Sequence, residues 1–431
     1  MWDKQLNDYV IEELAKVYIE YDKKGKSEKE FKIHNINEIV VDFEYAKKHD
    51  FSFSIDIPTM KQISQGNSGR CWIFAGLNFL REYAAKRNNI KEFDFSQSYI
   101  AFWDKAERSN FFLERVIETA AQPYDSYEVR TIFRYVIVDG GYWTNLKSLI
   151  KKYGLVPGEV MPETYQSANT EAMNNILNFY LRKRGIEIRN SFNEGASIDK
   201  LYEIKIEVLK SVYRFLCQCY SVPPTKFDFE SEKNLTPNAF CNNMIGNALE
   251  EYIDVISLPF NKTPYNQPCI VSNSYIVIGT GNVRFLNMEF HKMKKLILKQ
   301  LLDGETVFCS VDDSKMCIDE LQIWDDKSFR YKELLGLEFE MNRKDYLESK
   351  AGSINHCILI TGVNINGDGK PDRWRMKNTY DTDGLHNGYF TCSDTWFDNF
   401  VFGALINKKY LHNYLNVYGG EPNKFEIEEI I

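Results

Sequence analysis

The sequence predicts an α+β protein in two unlike parts, a helix-rich portion followed by a β-rich one, with the chemistry where they meet. Three patterns predict this. Behind Cys71 the apolar residues Ile73, Phe74, Leu77, Leu80 and Ala84 recur at helical spacing. The stretch from about 163 to 254 keeps the same period. From about residue 270 onward, short apolar runs at 275–278, 306–309, 357–360 and 389–392 take over, as strands do.

In chain order, residues 60–162 form a helical unit. A loop of small and polar residues running from Gln65 ends on Ser68-Gly69-Arg70, and a helix begins at Cys71 with one face buried. Residues 163–269 form a helical excursion, with Met173, Ile176, Leu177 and Leu181 on one row. Leu201, Ile204, Val208, Leu209, Val212 and Phe215 make a second row. Residues 270–418 form the β-rich unit. In it His356 opens one strand, residues 373–377 make a second, and the turn-forming cluster 364–371 joins them as a hairpin. Residues 419–431 are a C-terminal arm with Gly419-Gly420 as a hinge and Ile430-Ile431 at its end.

A cysteine on an apolar helix is most often inert core. Cys71, however, opens its helix, where unpaired backbone N–H groups and the helix dipole favour thiolate over thiol. Gln65 can aim an amide donor at the space before the sulfur. The hairpin lets Asn378 engage one nitrogen of the His356 imidazole while the other faces the cysteine, the arrangement a thiolate needs for acyl transfer. Strand alternation then puts Cys357 on the opposite face from His356, where it is expected to be inert.

These segments resemble the bleomycin hydrolase/aminopeptidase C family of papain-like cysteine peptidases, and the resemblance runs over nearly the whole chain. It includes the segment after the catalytic helix from Ser96 to Glu114, the Gly-Gly element at Asp139-Gly-Gly-Tyr-Trp143, and Lys152-Tyr-Gly-Leu-Val-Pro157. Further matches are the runs 223–229, 282–287 and 304–308. The resemblance implies a papain-like two-lobe fold, a helical lobe plus a β-rich barrel-like lobe, with a large helical insertion used in oligomer contacts. It implies Cys71 as nucleophile, His356 as acid and base, Asn378 as the residue that orients the imidazole, and Gln65 in the oxyanion hole. It places Gly140 and Gly141 on the substrate and the Ile431 carboxylate on the substrate's free α-amine. A cytosolic homohexamer acting on short or unfolded peptides, without metal or organic cofactor, is the expected protein. Simple papain-like enzymes place His and Asn roughly 130–150 residues after the cysteine. Here they follow by 285 and 307, which is why an insertion is expected.

Several positions depart from the family pattern. His356-Cys-Ile stands where His-Ala-Met is usual, and Lys377-Asn-Thr-Tyr-Asp381 where Glu-Asn-Ser-Trp-Gly is usual. Tyr380 thus replaces a tryptophan that shields the His–Asn bond, so a wetter, weaker bond is expected. Tyr142 replaces a glutamine and reshapes a pocket wall, and the usual ending is absent. An endopeptidase or terminal-trimming enzyme is therefore an alternative to an aminopeptidase. A catalytically weak assembly or binding protein is a second one.

The balance of 53 basic and 61 acidic residues, net −8, argues against general nucleic-acid binding. Nine cysteines form no paired framework, and Ser68 stands where secreted relatives carry a disulfide cysteine, as a reducing cytosol would have it. The N-terminal segment is acidic and amphipathic, unlike a signal peptide, and no apolar run is long enough for a membrane span. The segment 364–372 resembles half a calcium loop, but Arg375 replaces the bidentate glutamate, so a turn is expected. Cys217-Gln-Cys219 lacks a second ligand pair for zinc.

Overall fold

The computed structural model describes residues 6–22, 28–380 and 383–425. The helical part is built from α1 (Cys71–Asn88), α2 (Gln97–Glu118), α3 (Trp143–Tyr153), α4 (Thr170–Asn193) and α5 (Ile198–Tyr220). Ser96 and Ser197 cap α2 and α5 by accepting the backbone N–H groups of Tyr99 and Lys200. Asn89 ends α1 in the left-handed conformation at φ 55°, which asparagine tolerates.

α1 differs from the amphipathic helix read in the sequence: all eleven residues from Cys71 to Arg81 are buried. It runs between the other helices and a sheet, so every face has a neighbour and no polar stripe is needed. On α4, Met173, Leu177 and Leu181 are buried as expected, but Ile176 is 58% exposed and Phe179 77% exposed. The insertion thus leaves large apolar side chains on its outer surface.

The β-rich part is one twelve-stranded mixed sheet. Its strands are β1 (Ile55–Asp56), β2 (Tyr252–Ile256), β3 (Gln267–Val271), β4 (Arg284–Asn287), β5 (Val307–Val311), β6 (Cys317–Ile318), β7 (Ile323–Trp324), β8 (His356–Ile365), β9 (Pro371–Lys377), β10 (Tyr389–Ser393), β11 (Val401–Asn407) and β12 (Asn423–Phe425). They lie in the order β12-β3-β4-β2-β11-β5-β8-β9-β10-β7-β6, with β1 on β8. α6 (Phe290–Leu302) packs its Met293, Ile297 and Leu301 onto this sheet.

The sheet corrects two sequence boundaries. Apart from β1 it starts at Tyr252, so β2 and most of β3 fall inside the segment 163–269 that reads as helical insertion. All five β2 residues are buried, and a strand covered on both faces shows no alternation by which to find it. The run 275–278, expected as a strand, is a loop that borders the cleft. The β8–β9 hairpin forms with Leu359 opposite Lys377, and Asn366 closes its turn by accepting the Asp368 and Lys370 N–H groups at 3.0 Å.

Two cores result. Trp72, Leu77, Leu146, Leu177 and Val208 belong to the helical one, joined by Phe308, Cys357, Leu359 and Leu405 from one face of the sheet. Ile358, Ile360, Val255 and Trp374 belong to the other, on the opposite face. Among the described residues no helix is long and apolar enough to cross a membrane.

Candidate active site

The loop before α1 is fixed by charge. Arg70 is 1% exposed, and its guanidinium grips Glu163 through two bonds, Nη2 to Oε2 at 2.7 Å and Nη1 to Oε1 at 3.2 Å. Its Nε donates to Ser68 Oγ at 3.0 Å. Glu163 also accepts from Ser98 and Ser167. One residue before Arg70, the Gly69 N–H donates to Asp139, whose carboxylate also accepts from Lys105 at 2.7 Å, Thr170 at 2.5 Å and Asn174 at 2.8 Å. Burial alone would raise the Asp139 pKa, but Lys105 and these donors hold it well below the carboxylate range. The loop therefore presents Cys71 from a rigid polar frame.

Cys71 is 7% exposed and lines a cavity of about 350 Å³ together with His356, Cys357, Gly141 and Tyr142. His356, 6% exposed, sits between two partners. Its Nε2 lies 2.7 Å from Asn378 Oδ1, so Nε2–H donates to the amide oxygen and Nδ1 is the nitrogen on the cysteine side. Asn378 is fully buried and its Oδ1 also accepts the Thr379 N–H at 2.8 Å. The preceding Lys377 ties the end of β9 to the Met60 carbonyl at 2.7 Å.

Gln65 is held beside this pair. Its backbone N–H donates to the Thr379 carbonyl at 2.8 Å, its Oε1 accepts from Thr379 Oγ1 at 2.5 Å, and its Nε2 donates to the Ser68 carbonyl. Gly140 and Gly141 both border the cavity, and the Gly140 carbonyl accepts from Arg108 at 2.6 Å. A Cβ on Gly141 would come within 2.6 Å of the Trp72 indole, so only glycine fits there. Ile431 lies outside the described residues. The arm is described as far as Phe425, whose carbonyl accepts from the Ser272 N–H, one residue before Asn273 in the cavity wall.

Two expectations are corrected. Cys357 does not point away from Cys71. It shares the helix-facing side of β8 with Leu359 and lines the same cavity as Cys71, whose pKa it lowers. His356, the first residue of β8, reaches the same cavity from the strand end, where alternation no longer separates neighbours. Nor is the His–Asn bond wet: both residues are buried, and the Tyr380 ring lies 5.4 Å from the imidazole at a 47° tilt. A tyrosine covers the pair about where a tryptophan was expected.

One residue went unnoticed in the sequence. Asp313, just after β5, places Oδ2 3.8 Å from His356 Nδ1 and accepts from the Tyr380 hydroxyl at 3.2 Å. No motif marks it, because only the β5–β8 pairing brings it to the imidazole. The electrostatics follow from these contacts. The Cys357 thiol, and then the imidazolium, pull the Cys71 pKa well below that of an ordinary thiol despite burial. In return Cys357 is pushed well above it. Burial would lower His356, yet the Cys71 thiolate, Asp313 and Asn378 raise it to about 9. A thiolate–imidazolium pair at neutral pH is what this arrangement sustains.

A model of the Peptidase C1-like family matches residues 5–427. Aminopeptidase C of Lactobacillus delbrueckii subsp. lactis is 40% identical over 371 residues, covering 84% of this chain and 82% of that protein. Aminopeptidase C of Listeria monocytogenes is 35% identical over 380 residues, covering 86% and 85%. The crystal structure of PepW from Lactobacillus rhamnosis superposes with a TM-score of 0.91 at 32% identity, covering 98% of each chain.

Proposed function

We propose, for a chain that belongs to the Peptidase C1-like family and is a cysteine-type peptidase, that Cys71, His356 and Asn378 cleave peptides through an acyl-enzyme, removing residues from a free N-terminus. The observation that carries this reading is the buried 2.7 Å bond between His356 Nε2 and Asn378 Oδ1, which turns Nδ1 toward Cys71. The thiolate attacks the scissile carbonyl. The backbone N–H of Cys71, unpaired at the start of a helix, and the second N–H of the Gln65 amide receive the oxyanion. His356 gives its Nδ1 proton to the leaving amine, leaving a thioester. It then takes a proton from the water that attacks the thioester, and the acid departs as Cys71 becomes a thiolate again.

Asn378 holds the ring in the tautomer this needs, and Asp313 favours its charged form. Gly140 and Gly141 give the substrate backbone close approach to the cleft. The reading includes a cytosolic homo-oligomer, a hexamer by resemblance, acting on peptides and not on nucleic acid. The exposed Ile176 and Phe179 on α4 support the insertion as its contact surface.

Fluorogenic peptides with a free N-terminus should be hydrolysed faster than their N-acetylated counterparts. Equal or greater rates on the acetylated series would make the enzyme an endopeptidase. No hydrolysis of either series would leave a binding protein.

A further inference from the structure

The cleft holds a carboxylate that the mechanism above does not use. Asp254, the central residue of β2, is 7% exposed, and among the described residues no hydrogen bond or ion pair reaches it. It borders the cavity that opens at Cys71 and also a depression behind it. The strand register explains how it gets there. Cys357 on β8 pairs with Ser310 on β5, Ser310 with Gly403 on β11, and Gly403 with Ile256 on β2. Asp254 lies two residues from Ile256 and so on the same face. Gly403 contributes no side chain between them, which leaves the cavity continuous from the thiol to the carboxylate.

Nearby cations are committed elsewhere. Arg108, on the facing wall, binds Asp104 at 2.8 Å and the Gly140 carbonyl. Lys147 and Lys151, beside the rear depression, both bind Glu250. Arg284 donates to the Tyr418 and Gly420 carbonyls. Left without a partner, the carboxyl is pushed well above its ordinary pKa by burial alone. A buried acid without a partner is costly unless something arrives to pair with it.

Resting on the cysteine peptidase reading, we infer that this cavity receives a lysine or arginine side chain from the acyl side of the scissile bond, with Asp254 as its counter-ion. Reach favours a side chain over the substrate's α-amine. That amine lies two bonds from the carbonyl carbon at Cys71, whereas Asp254 stands three strands away, roughly 14 Å across the sheet at about 4.8 Å per strand. A long, flexible cation, the reach of the Asp254 side chain and the bond between them together span most of that gap between backbones, and the apolar walls from Tyr142, Ile256 and Phe285 take the cation's methylenes.

Reporter peptides with lysine, arginine or norleucine, placed either next to the scissile bond or one residue before it, test this. Each is made with free and acetylated N-termini. In the wild type, kcat/KM for the basic residue should exceed that for norleucine by about tenfold or more at one of the two positions. In Asp254→Asn and Asp254→Ser that ratio should fall to near one, through KM more than kcat. Loss of the preference in both variants, with unfolding midpoints within a few degrees of the wild type, supports the assignment. A wild type without basic preference overturns it. So does an Asp254→Asn that slows all free-amine peptides equally and spares the acetylated ones, since the carboxylate would then serve the α-amine. A wild type that cleaves nothing overturns the peptidase reading itself.

Discussion

Asp139 and Asp254 are two carboxylates near the same cleft, one on its helical wall and one on its β wall, with opposite surroundings. Asp139 accepts from Gly69, Lys105, Thr170 and Asn174 and stays ionised; Asp254 accepts from none of the described residues and is driven toward its neutral form. The contrast extends to the walls themselves. On the helical side, Arg70 with Glu163 and Lys105 with Asp139 spend their charge on one another. Their product is a rigid loop that presents Cys71. On the β side, Asp313 and Asp254 turn toward the imidazole and the open cavity. Charge that is satisfied internally builds the site, while charge left facing the cleft acts on the reaction and on what enters.

Substitutions should divide along the same line. Between the walls, Cys71→Ala and His356→Ala should each cut kcat/KM by about a thousandfold or more, with urea midpoints close to the wild type. Asp139→Ala should do the opposite in kind. It takes from Lys105, 1% exposed, its 2.7 Å carboxylate partner, leaving Asp104 at 3.4 Å and the Val138 carbonyl, and should cost roughly 3 kcal/mol in urea denaturation, whereas Asp254→Asn should leave stability unchanged or raise it. Equal destabilisation by the two would erase the distinction between the walls.

Smaller effects sharpen it. Asn378→Ala should lower kcat/KM by about tenfold to a hundredfold, the loss of one bond to a charged ring, and leave measurable activity. Asp313→Asn should act mainly on pH dependence. With His356 raised to about 9, activity should decline as pH rises through about 9 and the imidazolium loses its proton. Without the Asp313 charge that alkaline limb should move to lower pH, which a kcat/KM profile would read directly. An unmoved limb would make Asp313 a bystander.

The sequence was informative where chemistry is written locally. Gln65, Cys71, His356 and Asn378 stand in motifs, and the hairpin that carries the last two announces itself through its turn cluster. It was silent where function depends on register. Asp313 meets His356 because β5 pairs with β8, and Asp254 reaches the cavity only through four paired strands. Alternation misplaces Cys357 because it does not hold at a strand's first residue, His356, where the chain enters from outside the sheet. β2 escaped notice because burial on both faces removes the polar positions that mark a strand.

Cys71 should rest as a thiolate against a protonated His356, with Cys357 protonated beside it. Alkylation by iodoacetamide as a function of pH, with the modified residue identified by mass spectrometry, tests it most directly. Cys71 should be modified rapidly well below the pH at which an ordinary thiol reacts, with a second change in rate near pH 9 as His356 loses its proton, while Cys357 stays unmodified at neutral pH. A Cys71 rate that rises only through the ordinary thiol range, about pH 8.5, or equal labelling of Cys357, would contradict it.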